Sequence, residues 1–163
     1  MSNNYGKQFE RKFKMDWMKT FPNGTIDRIY DTTMGYAHIS NVSDFIAYDF
    51  PFEYYLECKS TEQGTFNIKK LTQKDKLSEK QGIKGVNAGV IIWFISKRKV
   101  CYVPIEEVLR LEKEGFKSIS CKMIDDPLYK VYEVESKAKM VFLDSDYSIV
   151  RVAAEKKLEE FNK

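Results

Sequence analysis

One histidine, three cysteines and four prolines are all that 163 residues offer of those types. The lone histidine, His38, excludes a multi-histidine metal centre and leaves a histidine-based nucleophilic triad a single candidate. Cys58, Cys101 and Cys121 are widely spaced and odd in number, so they form neither a disulfide framework nor a zinc pattern. No apolar run approaches the length of a membrane span. The opening Met-Ser-Asn-Asn-Tyr-Gly lacks the basic-then-apolar shape of a signal peptide. A cytoplasmic protein with no membrane partner is the expectation. Repeats, low-complexity segments and long linkers are missing too. Any hydrolytic chemistry must therefore rest on carboxylates, lysine and a hard cation.

What is present is charge, at 31%, and aromatic side chains, at 14%. The net charge is +3, but its distribution says more. Residues 1–20 carry five basic side chains against two acids, and residues 21–58 carry one, Arg28, against six. Residues 59–84 then carry seven lysines against three acids, and 85–103 three basic residues and no acid. An acidic island between basic segments suits a polyanion bridged to carboxylates through cations, although solvated surface charge accounts for the same layout. The length predicts a single domain over 1–163, with a core at about 4–115 and C-terminal strands and a helix at about 116–163.

Phe9, Phe13 and Trp17 recur every four residues and predict a helix over 4–20, with Asn3 or Asn4 as its cap. A short strand is expected over 26–30 and a loop over 31–42. Residues 41–60 read as two strands joined by a turn at 49–52, where Pro51 breaks the pairing. Ile68, Leu71 and Leu77 predict a second helix over 67–81, and 82–89 a glycine-containing connection. Val90-Ile-Ile-Trp-Phe-Ile95 is a continuous apolar run of strand length, expected at the centre of a sheet. A turn at 97–99, a strand over 100–103 and a helix over 105–114 follow, the last opened by Pro104. Residues 118–123 and 128–134 look extended, and 146–161 helical. The sum is an α/β protein with a mixed sheet flanked by helices.

Alternation along the second strand puts Glu53, Tyr55, Glu57 and Lys59 on one face and Tyr54, Leu56 and Cys58 on the other. Four Glu-x-Lys triplets occur, at Glu10, Glu57, Glu135 and Glu155. The first and last fall on predicted helices, where positions i and i+2 diverge. Glu135-Ser-Lys137 follows Asp125 and Asp126, but its strand is more polar and no basic helix follows. Glu57-Cys-Lys59 ends an apolar strand, and a hairpin brings it back to Asp44. Two carboxylates and a lysine converging there have the chemistry for a phosphodiester. The acids hold a divalent cation that acidifies water and neutralises phosphate charge, and Lys59 orients the water or stabilises the developing charge. Asp44 and Glu57 suffice for Mg²⁺, with Glu10 as an outer ligand. A surface ion pair of little energetic worth is the bland reading of Glu57 and Lys59.

Asp44…Glu57-Cys-Lys59 resembles the signature of the PD-(D/E)xK nuclease superfamily, whose fold is restriction-endonuclease-like. The resemblance extends to Gly6-Lys-Gln-Phe-Glu10-x-x-Phe13, Ser43-Asp-Phe-Ile46, Tyr55-Leu-Glu-Cys-Lys-Ser60, Gln73 and the strand Ala88-Gly-Val-Ile-Ile-Trp-Phe94. Over residues 4–105 the chain looks like RecU-type Holliday junction resolvases, above all the short relatives of Gram-positive bacteria and their phages. That resemblance implies a Mg²⁺- or Mn²⁺-dependent endodeoxyribonuclease that works as a homodimer on four-way junctions in DNA recombination and repair. It implies Asp44 and Glu57 as metal ligands with the backbone carbonyl of Cys58. It makes Lys59 the catalytic lysine, Glu10 the first-helix acid and Gln73 the glutamine of the second helix. Expected DNA contacts are Lys7, Arg11, Arg28, Ser60, Lys69, Lys70 and Lys74. Pairing of Arg28 with Asp27 or Asp31 competes with that role, and a solvated helix face explains the lysines equally well. His38 is a further loop candidate. Longer relatives carry a stalk for which 31–42 leaves little room, and Asn41-Val-Ser43 departs from the usual residues before the first acid. Another nuclease of the same fold, and a non-catalytic DNA-binding module, remain open.

Overall fold

The computed structural model describes residues 4–30 and 41–163. His38 and most of the 31–42 loop lie outside the described residues. Helix α1, Tyr5–Thr20, starts where the Asn4 side chain accepts from the Lys7 N–H, as the sequence predicts. Strand β1, Thr25–Arg28, pairs antiparallel with β2, Phe45–Asp49, and β2 with β3, Phe52–Thr61. The β2–β3 turn is as tight as Pro51 predicts.

The chain then leaves the sheet. A short strand β4, Thr65–Asn67, pairs with β7, Ser118–Ser120, in a separate two-stranded ribbon. The helix expected over 67–81 is not one helix. A single 3₁₀ turn, Ile68–Lys70, and a five-residue helix α2, Lys74–Ser78, take its place. The reason is tertiary: Asn67 is committed to pairing with Ser118, and the Ile68 N–H donates to the Lys117 carbonyl. The helical spacing of the apolar residues still served its purpose, because Ile68, Leu71 and Leu77 are all buried.

Strand β5, Val86–Phe94, runs parallel to β3 and is buried along almost its whole length, at the centre of the sheet. It begins four residues earlier than the apolar run at 90–95 suggests and takes in half of the expected connection. Strand β6, Lys99–Pro104, returns antiparallel and leads into α3, Ile105–Lys113. Strands β8, Tyr132–Lys139, and β9, Phe142–Asp146, extend the sheet before helix α4, Ser148–Phe161. The extended stretch expected at 118–123 is β7 followed by a 3₁₀ turn at Cys121–Asp125, and β9 has no forerunner in the sequence reading.

The result is the expected α/β architecture: a mixed seven-stranded sheet in the order β1-β2-β3-β5-β6-β8-β9, with helices on both faces. One face packs Leu56, Ile91 and Trp93 against Phe13 and Trp17 of α1 and Val150 of α4. The other packs Val90, Ile92 and Phe94 against Leu77 of α2 and Val108 and Leu111 of α3. Burial of so many aromatic and branched side chains, each stabilising by about 1.5–3 kcal/mol, supplies the driving force. Among the described residues no helix is long and apolar enough to cross a membrane.

Candidate functional site

The site forms where β2 begins and β3 is near its end. Asp44 immediately precedes β2, and antiparallel pairing sets Phe45 opposite Leu56. That register brings Asp44 beside Glu57 and Cys58 and produces a reciprocal clamp. The Asp44 N–H donates to Glu57 Oε2 at 3.0 Å, and the Cys58 N–H donates to Asp44 Oδ2 at 2.9 Å. Each acid is thus oriented by the backbone of the strand that carries the other. Charge-assisted bonds of this kind are roughly twice as strong as neutral ones and fix side chains that otherwise swing freely.

Lys59, one pleat beyond Glu57, places its ammonium 3.1 Å from Glu57 Oε1. Glu57 is only 1% exposed, whereas Lys59 retains 25% exposure. A surface ion pair is therefore ruled out. Glu135-Ser-Lys137 shows the contrast: Glu135 and Lys137 are exposed on the β8–β9 hairpin, opposite Asp146 and Asp144. Glu10 and Glu155 lie on helices, as expected.

Glu10 reaches the site from α1, but a cation stands between it and Asp44. Arg28 binds Glu10 Oε2 through Nε at 3.1 Å and Nη2 at 2.9 Å. Its Nη1 donates to the Asp44 carbonyl at 3.1 Å and lies 3.5 Å from Asp44 Oδ1. The expected alternative partner Asp27 is not used, and Asp31 lies outside the described residues. No local signal marks this pairing, because Arg28 and Glu10 are 18 residues apart and meet only once α1 packs across β1.

Burial and the neighbouring Asp44 charge push the Glu57 carboxyl up, to about 7, against the pull of Lys59. Glu10 is raised for the same two reasons, with Arg28 opposing. Three carboxylates, Asp44, Glu57 and Glu10, thus meet two cations, Lys59 and Arg28, in a largely desolvated site. Among the described residues no group of three histidine, cysteine or carboxylate side chains is arranged to hold a metal ion. Asp44 and Glu57 as a pair fit Mg²⁺, which keeps several waters and needs one or two carboxylates. The thiol of Cys58 is buried, and that burial pushes its pKa well up, so the thiol is no candidate ligand.

Other predicted residues are scattered around this centre. Lys7 and Arg11 are exposed on α1 and, with Lys14, Arg28 and Glu10, line an open cavity of about 340 Å³ beside the acids. Lys14 was not singled out as a contact, although its spacing from Lys7 and Arg11 puts it on the same helix face. Ser60 is half-buried beyond Lys59, and Lys69 and Lys70 are exposed on the 3₁₀ turn. Lys74 is paired with Glu112 of α3 at 2.5 Å. Gln73 precedes α2, where its Oε1 accepts from the Thr72 hydroxyl at 2.9 Å, and among the described residues no hydrogen bond joins its side chain to the acids.

No family model matches this sequence, and no curated protein matches it. Among solved structures, that of Hjc, a Holliday junction resolvase from the archaeal hyperthermophile Archaeoglobus fulgidus, is similar at a TM-score of 0.49 and 16% identity, over 63% of this chain and 78% of that one.

Proposed function

We propose that this chain is a divalent-metal-dependent endodeoxyribonuclease of the restriction-endonuclease-like fold, cutting branched DNA as a homodimer. The observation that carries the chemistry is the Asp44–Glu57 clamp, with Glu57 buried and Lys59 beside it. Burying a carboxylate against a second one is costly, and a purely DNA-binding surface gains nothing from acids that repel phosphate.

Asp44, Glu57 and the Cys58 carbonyl would hold Mg²⁺ or Mn²⁺. A bound cation supplies charge neutralisation at the phosphate and acidifies water for attack. Lys59 stands at the exposed edge of Glu57, where its ammonium orients the incoming water and stabilises charge building on the phosphate. Arg28 bridges Glu10 and Asp44 and so links the first-helix acid to the ligand pair. Lys7, Arg11 and Lys14 offer three cations beside the acids for the backbone of the bound strand. The choice of a four-way junction in recombination and repair rests on the sequence resemblance to RecU-type resolvases.

The test compares labelled four-way junction with linear duplex, in Mg²⁺, Mn²⁺ or EDTA, beside Lys59→Ala. Symmetric metal-dependent nicks on the junction alone are expected. The variant should cut about 10²–10³-fold more slowly with DNA binding intact. Binding without cleavage in every metal would overturn the enzyme reading. Equal cleavage of linear duplex would remove junction selectivity and leave a general nuclease of the same fold.

A further inference from the structure

A second cavity, of about 500 Å³, lies on the opposite face of the sheet from Glu57 and Lys59. It opens beside Asn87, which pairs with Tyr54, three residues before the Val90 that faces Glu57. Three residues of strand amount to roughly 10 Å. The size is within the usual range for small-molecule sites, roughly 300–1,000 Å³.

Its chemistry is specific. Asn87 is 5% exposed, yet its amide is almost uncommitted. The Nδ2 makes one long contact, 3.5 Å, with the Gly85 carbonyl, and among the described residues Oδ1 accepts from nothing. The oxygen is open to the cavity, where a ligand or a water can meet it. The aromatic wall is Tyr102 stacked with Tyr132, ring centroids 6.4 Å apart. Tyr102 can lie against β5 only because residue 89 is glycine: a Cβ there would meet the tyrosine ring at 2.5 Å.

At the rim, Lys157 is spent on Glu106 at 2.6 Å and on the Val86 carbonyl at 3.1 Å. Lys156 is exposed, lies 6.0 Å from the Tyr132 ring, and makes no ion pair among the described residues. A planar hydrogen-bonding ring inside and an anion outside satisfy all three features at once. We infer that this cavity binds a nucleotide, with the base against Tyr132 and Asn87 and the phosphate at Lys156. An asparagine amide presents a donor beside an acceptor, the complement of adenine, so an adenine nucleotide is the expected first choice. A free mononucleotide and an unpaired nucleotide of DNA share this chemistry.

Titration calorimetry of the full chain in EDTA tests this without reference to cleavage. AMP should bind saturably and ribose 5-phosphate at least about tenfold more weakly. Asn87→Ala and Lys156→Glu should each weaken AMP by about tenfold or more. Lys156 is exposed, so Lys156→Glu carries the test should Asn87→Ala melt early. An adenine oligonucleotide that binds more tightly than AMP, and loses that advantage in Lys156→Glu, would assign the ligand to an unpaired base of DNA. The inference is overturned if AMP and the oligonucleotide fail to bind up to about 10 mM. Equal affinity for ribose 5-phosphate, or binding unchanged in Lys156→Glu, overturns it as well.

Discussion

At the scale of single residues, Glu57 is where stability and function oppose each other. Its carboxyl ordinarily titrates near 4.5 and is raised to about 7 in the fold, by burial first and by Asp44 second. The folded protein therefore holds this proton more tightly than the unfolded chain does. Below about pH 4.5 both states are protonated and the group costs nothing. As the pH climbs from there through 7, the unfolded state ionises first and stability falls. Thermal melts in EDTA should show that loss, and Glu57→Gln should flatten it. Added Mg²⁺ should raise the melting temperature more at pH 8 than at pH 5, because only the ionised pair attracts it. Equal stabilisation at both values would count against Asp44 and Glu57 as ligands. Tyr54 makes a simpler case. Its hydroxyl is buried with no partner among the described residues. Tyr54→Phe removes that desolvated group and keeps the ring packed on Trp17, so it should leave stability unchanged or raise it by about 1 kcal/mol.

Between elements, the contact that fixes α1 on the sheet is one the charge pattern hides. Asp16 looks like one more acid on a polar helix, yet it is 3% exposed. It accepts from Lys12 at 2.5 Å and from the Ser145 N–H of β9 at 3.0 Å. Lys12 in turn reaches Asp144 of β9 at 2.7 Å. Asp16→Ala strands the Ser145 donor and half of the Lys12 pairing, and should cost about 2–4 kcal/mol in denaturant titration. Because α1 also carries Glu10, Lys7 and Arg11, the variant should lose junction affinity along with stability. The failed helix at 67–81 teaches the matching lesson. Its apolar spacing located Ile68, Leu71 and Leu77 correctly but not their backbone, since propensity yields where a neighbouring strand claims the same hydrogen bonds.

For the whole molecule, the proposed activity implies symmetry: one Asp44–Glu57 pair would cut one strand, while resolving a junction needs two cuts related by symmetry. Sedimentation of the 19.1 kDa chain should therefore give a species of twice that mass, with or without DNA. A monomer at all concentrations, alone and with junction, would remove the homodimer from the proposal. The sheet itself was legible in outline. The buried run at 90–95 is its central strand, and the hairpin at 41–60 is where it was expected. The strand at 132–139 was legible only in part and the one at 142–146 not at all, because at that edge the sheet is half solvated and its alternation carries little apolar contrast.

The amino-acid sequence by itself determined which face each side chain of β3 takes, and hence that Glu57 and Lys59 stand together at its end. That follows from strand geometry, which repeats every two residues whatever the rest of the chain does. It also singled out Asp44 as the partner acid, since a hairpin with Pro51 in its turn has few registers open to it. Only the tertiary structure decided that the two acids clamp each other through backbone N–H groups, that Arg28 bridges Glu10 and Asp44, and that Asp16 is buried. Those contacts join positions 13 to 129 residues apart, and where such positions meet is set by packing rather than by any local period. The clamp is decided by the register of two strands, and the cation beside it by where a helix comes to rest.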